Sequence, residues 1–316
     1  MKTSIKYLPD EVLLKIFRYV PQTCLFQNVT LVNRRFNNIT KDPSLLKHLI
    51  IRKRVDREVF KSVQASLGRL HLLQKLELPG NLQYYSNELE PTIMILLENC
   101  PYLEHIAIVK TECQFSEDIM FLLRSLGKNL HYLDLRKVTI KAEALFHATR
   151  MAKLKTLLLG KMCQITVRHF KSIAENCEEL ETLAIEGTEI RNEAVQYLSK
   201  TPNLKTLEMK NVHLFSNVTK DVSFHKLEYV RIENVTVINS DLLPFYQEVE
   251  PKIFKDDILK LLANCPKLKQ FYMFQDSGLE YGTDMTHEFI EHMIKNYEVD
   301  FADFTNCIVR IRSIHY

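Results

Sequence analysis

A chain of 316 residues, 46% hydrophobic and 26% charged, is long enough for one large domain or two ordinary ones. Its seven glycines come no closer than Gly278 and Gly282, so there is no GxG, Walker loop or GxSxG elbow, which excludes most nucleotide-dependent and α/β-hydrolase chemistry. The net charge of +3 is uneven: residues 1–60 hold 12 Lys/Arg against 5 Asp/Glu, the remainder 30 against 34, so a small basic N-terminal module facing an acidic partner is expected and a nucleic-acid partner is not. Seven cysteines without a CxxC pair fit reduced thiols, no signal peptide is visible, and the longest apolar run is Ile93–Leu97. The expectation is a cytoplasmic or nuclear protein with no membrane partner.

The first elements in chain order are helices. Pro9 suits a first helical turn, Asp10 and Glu11 suit a helix N-terminus, and Leu13, Ile16, Phe17 and Val20 recur at helical spacing until Pro21 stops them. A second short helix is predicted over Cys24 to Val29 and a third over Leu31 to Ile39, with Val32, Phe36 and Ile39 inward, ending at Asp42-Pro43. Leu8, Pro9, Ile16, Phe17 and Val29 are too many apolar residues for a three-helix unit to bury, which argues for a partner surface. A polar helical cap on a repeat array is the plainer alternative. Three segments carry a resemblance: Leu8-Pro9-Asp10-Glu11-Val12-Leu13-Leu14-Lys15-Ile16-Phe17, Leu31-Val32-Asn33-Arg34-Arg35-Phe36, and Asp42-Pro43-Ser44-Leu45-Leu46. Residues 1–50 thus resemble an F-box, with Phe36 and Leu46 where that family commonly has Trp. The resemblance implies docking on a Skp-type adaptor through Leu8, Pro9, Ile16, Phe17 and Val29, with Glu11 and Arg34 at the rim.

From Leu73 onward the pattern L-x-x-L-x-L recurs eight times, starting at Leu73, Leu103, Leu130, Leu154, Leu180, Leu204, Leu227 and Leu268. All 24 apolar slots are filled, 16 of them by Leu out of 44 in the chain, and most steps fall near the 20–29 residues of leucine-rich repeats. The last two slots are two apart, so a strand places them on one face. Helical spacing follows over Glu117 to Leu126, Ala142 to Met151, Val167 to Ala174 and Asp257 to Ala263. A single strand–helix unit cannot bury its apolar face, whereas stacked copies can. The fold class is therefore α/β: an N-terminal three-helix module (1–50), then a curved leucine-rich-repeat solenoid (51–316) of about eight repeats and a C-terminal cap, with a parallel sheet on its concave face. The tags Asn99-Cys100-Pro101, Asn176-Cys177-Glu178 and Asn264-Cys265-Pro266 resemble the cysteine-containing repeat subtype and place those thiols in the core.

Chemistry finds little purchase. His287-Glu288-Phe289-Ile290-Glu291-His292 is HExxxH, whose histidines stand about 140° apart on a helix, so no metal is expected, nor any cofactor or catalytic residue. The expected outward strand positions run from Lys75, Glu77, His105 and Ala107 through Tyr132, Asp134, Leu158 and Ala184 to Lys210, Tyr229, Arg231, Tyr272 and Phe274. These last five are the candidate substrate contacts, and the Tyr, Arg and Phe among them are interface-anchoring types. The long step from Leu227 to Leu268 predicts an insertion over 238–255, either a surface loop or a degenerate repeat. Overall the chain resembles an F-box/leucine-rich-repeat protein. That implies the substrate receptor of a Skp–cullin–F-box (SCF) ubiquitin ligase, joined through the adaptor to cullin and RING subunits and holding an unidentified protein substrate. A non-degradative adaptor-binding scaffold and a plain leucine-rich-repeat interaction module are the alternatives.

Overall fold

The structure, a computed structural model, describes residues 5–50, 70–78, 86–108, 113–215, 222–238, 258–274, 291, 295, 298–303 and 308–313. They fall into two compact units, 1–139 and 140–316. In the first, a 3₁₀ turn (Ile5–Tyr7) leads to α1 (Asp10–Phe17). Pro9 sits at its N-cap rather than in its first turn, and its carbonyl accepts from the Val12 and Leu13 amides (3.1 and 3.0 Å). Helix α2 (Gln22–Cys24) passes through a π-helical stretch (Leu25–Val29) into α3 (Thr30–Val32). Asn33 is fully extended, and its side chain accepts from the Phe36 amide at 2.8 Å, so it ends one helix and caps α4 (Arg34–Ile39). That break corrects the expectation of one helix from Leu31 with Val32 inward: Val32 is 60% exposed. Asp42 caps the next 3₁₀ turn (Pro43–Leu46) through the Ser44 amide, also at 2.8 Å.

The turn feeds β1 (His48–Ile50), which pairs in parallel with β2 (Lys75–Leu78). Gln22 ties the helices to this strand: Ile50 N donates to its Oε1 at 2.8 Å. The strand order β1-β2-β3-β5 continues through β3 (His105–Ile108) and β5 (Tyr132–Leu135), with α5 (Ser86–Asn99), β4 (Cys113–Phe115) and α6 (Glu117–Leu126) between them. Leu49, Leu76, Ile106 and Leu133 lie in register and all are buried. The repeat motif thus has one more copy than expected, Leu46-Lys47-His48-Leu49-Ile50-Ile51, which straddles the end of the residues assigned to the helical module.

Strand β6 (Val138–Ile140) spans the division between the units. The second unit holds α7 (Ala142–Ala148), β7 (Thr156–Leu159), α8 (Val167–Asn176), β8 (Thr182–Glu186), β9 (Glu189–Ile190), α9 (Asn192–Lys200), β10 (Thr206–Lys210), β11 (His213–Phe215), β12 (Tyr229–Glu233), β13 (Thr236–Ile238), a helix over 258–263 and β14 (Gln270–Phe274). Strands β7, β8, β10, β12 and β14 pair in parallel in that order. Two apolar rows run across them, Leu157–Leu183–Leu207–Val230–Phe271 and Leu159–Ile185–Met209–Ile232–Met273, and every member is buried. Each such side chain contributes about 1.5–3 kcal/mol by burial.

The turn after each central strand needs a left-handed residue. Gly187, Asn211 and Asn234 fill it with φ of 66°, 49° and 48°. Each amide donates to the last residue of the next strand: Gly187 to Lys210, Asn211 to Glu233, Asn234 to Phe274. The short strands β13, β11 and β9 follow these turns and form a second parallel ladder. The sheet then changes sense: β16 (Ile308–Ser313) is antiparallel to β14, and β15 (Glu298–Asp303) is antiparallel to β16. The insertion over 238–255 lies outside the described residues apart from Ile238, as does the His287–His292 string apart from Glu291.

Candidate interaction surfaces

The helical module is built round Leu13, Phe17, Leu25, Phe36, Ile39 and Leu45, with Leu8, Leu14, Val20 and Val29 packed against them. Phe17 and Phe36 meet edge to face, their centroids 5.2 Å apart. Arg35 ties α4 to the start of α1: Nε donates to Asp10 Oδ1 at 2.6 Å and Nη2 to the Leu8 carbonyl at 2.5 Å. The inward stripe of α1 is thus Leu13 and Phe17, continued by Val20. One residue earlier, about 100° round the helix, Val12 and Ile16 form a second stripe that Tyr19 extends just past the helix end. All three are exposed, Tyr19 at 90%, and Tyr7, Leu31 and Val32 add further exposed apolar surface. A helix apolar on two faces buries one and presents the other.

In the second unit the sheet face holds a cluster set in register by Glu208↔Arg231↔Tyr272 and Lys210↔Glu233↔Phe274. Arg231 donates to Glu233 through Nε (2.6 Å) and Nη2, and its guanidinium lies 4.8 Å from the Tyr272 ring centroid. Lys210 Nζ stands 3.4 Å from the same carboxylate. In the first unit Lys75 pairs with Glu77 at 2.8 Å, and His105 stacks on Tyr132 at 3.9 Å. Asp134 takes a bidentate grip from Arg136 (3.0 and 2.7 Å). Ala107, Asp134, Leu158 and Ala184, expected to face outward into solvent, are buried instead. Ala107 is short and sits in register between Glu77 and Asp134, and Arg136 covers Asp134. Burial and the Lys75 charge push the His105 imidazole down to about 4, against Glu77 and Asp134, so it is neutral at pH 7 and its 3.6 Å approach to Glu77 is not an ion pair there.

Cys100, Cys177 and Cys265 are buried at the ends of helices, and burial pushes each thiol up to about 12. Their Sγ atoms donate to backbone carbonyls of Leu70, Thr149 and Leu261 at 3.1, 3.4 and 3.1 Å. Protonated, enclosed thiols pack and do not attack. Among the described residues no group of three or more His, Cys, Asp or Glu stands close enough to hold a metal ion, and no helix is long and apolar enough to cross a membrane.

Residues 5–52 match the F-box-like family model. Among solved structures, an internalin (inlF) from Listeria monocytogenes str. 4b F2365 is similar at a TM-score of 0.43 and 14% sequence identity, over 87% of this chain and 73% of that one. No curated protein matches the chain.

Within the F-box-like region, Pro9, Glu11, Ile16 and Arg34 are exposed, and Leu8 and Val29 are half-buried against the core. Phe17 is a core residue, 3% exposed, packed edge to face against Phe36. Spacing places Ile16 and Phe17 on the same broad apolar face and does not separate them; packing against Phe36 does. Val12, Tyr19 and Leu31, not named as contacts from the sequence, are exposed apolar residues of the same region. For Val12 and Tyr19 the signal is the second apolar stripe one residue behind the first.

Proposed function

We propose that the chain is a non-catalytic substrate receptor of an SCF-type ubiquitin ligase. The F-box-like match over residues 5–52, with an exposed apolar stripe on a separately packed core, carries the reading. In it, Pro9, Val12, Ile16, Tyr19 and Leu31 meet a Skp-type adaptor, with Leu8 and Val29 backing them and Glu11 and Arg34 at the rim. The adaptor leads to cullin and RING subunits. The sheet face around Lys210, Tyr229, Arg231, Tyr272 and Phe274 holds a protein substrate. Such a receptor acts by proximity, raising the concentration of substrate lysines near a charged ubiquitin carrier.

Co-purification tests the adaptor step. Ile16→Asp alters an exposed position and should cut adaptor binding about 30-fold, about 2 kcal/mol, with folding retained. Undiminished binding sinks the assignment. The Leu8→Ala/Pro9→Ala pair should lose a similar amount, part of it through the core that Leu8 touches. The ligase step is read from proteins captured on the sheet face: at least one should accumulate when the cullin is inactivated, and levels that ignore the cullin favour the scaffold alternative.

A further inference from the structure

Beside the α1 stripe a groove of about 830 Å³ runs between the end of α1, the start of α2 and the 3₁₀ turn leading into β1. Half of its lining residues are apolar, Tyr19, Val20, Pro21, Leu45 and Ile50 among them. Its basic lining among the described residues is Arg18, Lys47 and His48, and it holds no carboxylate. The acid closest in sequence, Asp42, is engaged with the Ser44 amide. Ser44 Oγ lies enclosed beside the groove with no hydrogen-bond partner. The groove floor is pinned: Gln22 bonds the Leu45 carbonyl (3.4 Å) and the Ile50 amide, and the Lys47 carbonyl accepts from Gln74 and Lys75 of the next repeat (2.7 and 3.1 Å). A fixed trough lined by apolar side chains and by Arg18 and Lys47, with no carboxylate among its described lining, is complementary to an extended acidic segment carrying an apolar side chain.

Tyr19 belongs both to the exposed stripe and to the groove wall, so the two surfaces are continuous. We infer that the protein covering the α1 stripe also threads an acidic segment into this groove, its carboxylates against Arg18 and Lys47 and an apolar side chain against Val20 and Leu45. This rests on the adaptor reading and deepens it: the apolar stripe supplies affinity, and the groove supplies charge-steered association and register.

Binding of the full chain to a purified Skp-type adaptor, measured across salt from 50 mM to 500 mM, tests this. Arg18→Glu/Lys47→Glu changes exposed side chains only. It should weaken binding about tenfold at low salt and flatten the salt dependence, and Arg18→Lys/Lys47→Arg should restore both. Ile16→Asp should weaken binding at every salt concentration. If Ile16→Asp weakens binding while the charge reversal leaves affinity and salt slope at wild-type values, the groove inference is overturned and the adaptor reading stands. If neither variant weakens binding, both fall. Arg18→Gln alone, expected to lose part of the salt dependence, serves if the double reversal fails to fold, and a wild-type slope for it counts against the groove.

Discussion

His105 and Gly187 show what single positions contribute. His105 is held neutral because burial and Lys75 oppose its protonation, while in the unfolded chain it titrates near its ordinary 6.5. The unfolded state therefore binds the extra proton first, and stability falls as pH drops from about 6.5 towards 4. His169 has the same sign: burial lowers it, against the hydrogen bond that its Nε2 donates to the Ala142 carbonyl. Its Nδ1 accepts from the Thr166 amide at 3.0 Å, an arrangement that a proton there would break. Denaturant melts at pH 7 and pH 4.5 should show His105→Gln losing about 2 kcal/mol less than wild type between the two; equal losses would mean that His105 does not carry the dependence. Gly187 holds φ at 66°, and a Cβ built there meets Lys161 Cβ at 2.5 Å. Gly187→Ala combines a left-handed backbone penalty with a clash, so a loss of about 2 kcal/mol or more is expected in urea titrations. A change below about 0.5 kcal/mol would show that the turn relaxes.

At the scale of the element, α1 separates folding from binding one residue apart. Leu13 is fully buried, so Leu13→Ala leaves a cavity and should cost about 2–5 kcal/mol. Ile16→Asp should change stability by about 0.5 kcal/mol or less and act on partner binding alone. Thermal melts of the two variants decide this: if Ile16→Asp melts as early as Leu13→Ala, the outer stripe is part of the core. The sequence showed the elements better than their faces. The L-x-x-L-x-L slots marked both buried rows because strand period is strict, and a one-residue slip would turn Leu183 or Leu207 outward. Helix period is looser, so Ile16 and Phe17 shared a face until Phe36 claimed one of them. The left-handed turns at Asn211 and Asn234 were hidden because asparagine occupies that conformation without announcing it, and only strand register shows that they match Gly187. The antiparallel β15 and β16 lack the motif altogether, so nothing periodic marked them.

For the molecule as a whole, the consequential feature is β1. Its motif, Leu46 to Ile51, overlaps the closing Asp42-Pro43-Ser44-Leu45-Leu46 of the F-box-like segment, so a boundary set at residue 50 cuts through a repeat. Removing residues 1–50 would take away the helices and also the edge strand that pairs His48↔Lys75, Leu49↔Leu76 and Ile50↔Glu77. Strand β2 would then present an unpaired edge, with its buried Leu76 and Leu78 uncovered. A chain beginning at Asp42 keeps the capped 3₁₀ turn and β1 while losing the α1 stripe, Arg18 and Tyr19. We therefore expect a chain beginning at Asp42 to stay monomeric in light scattering and to lose the adaptor, and one beginning at residue 51 to self-associate and melt several degrees lower. Identical scattering and melting for the two would mean that β1 does not protect the sheet edge. The comparison also governs any test of function, since substrate lost by the shorter chain would reflect an unravelled first repeat rather than a missing adaptor.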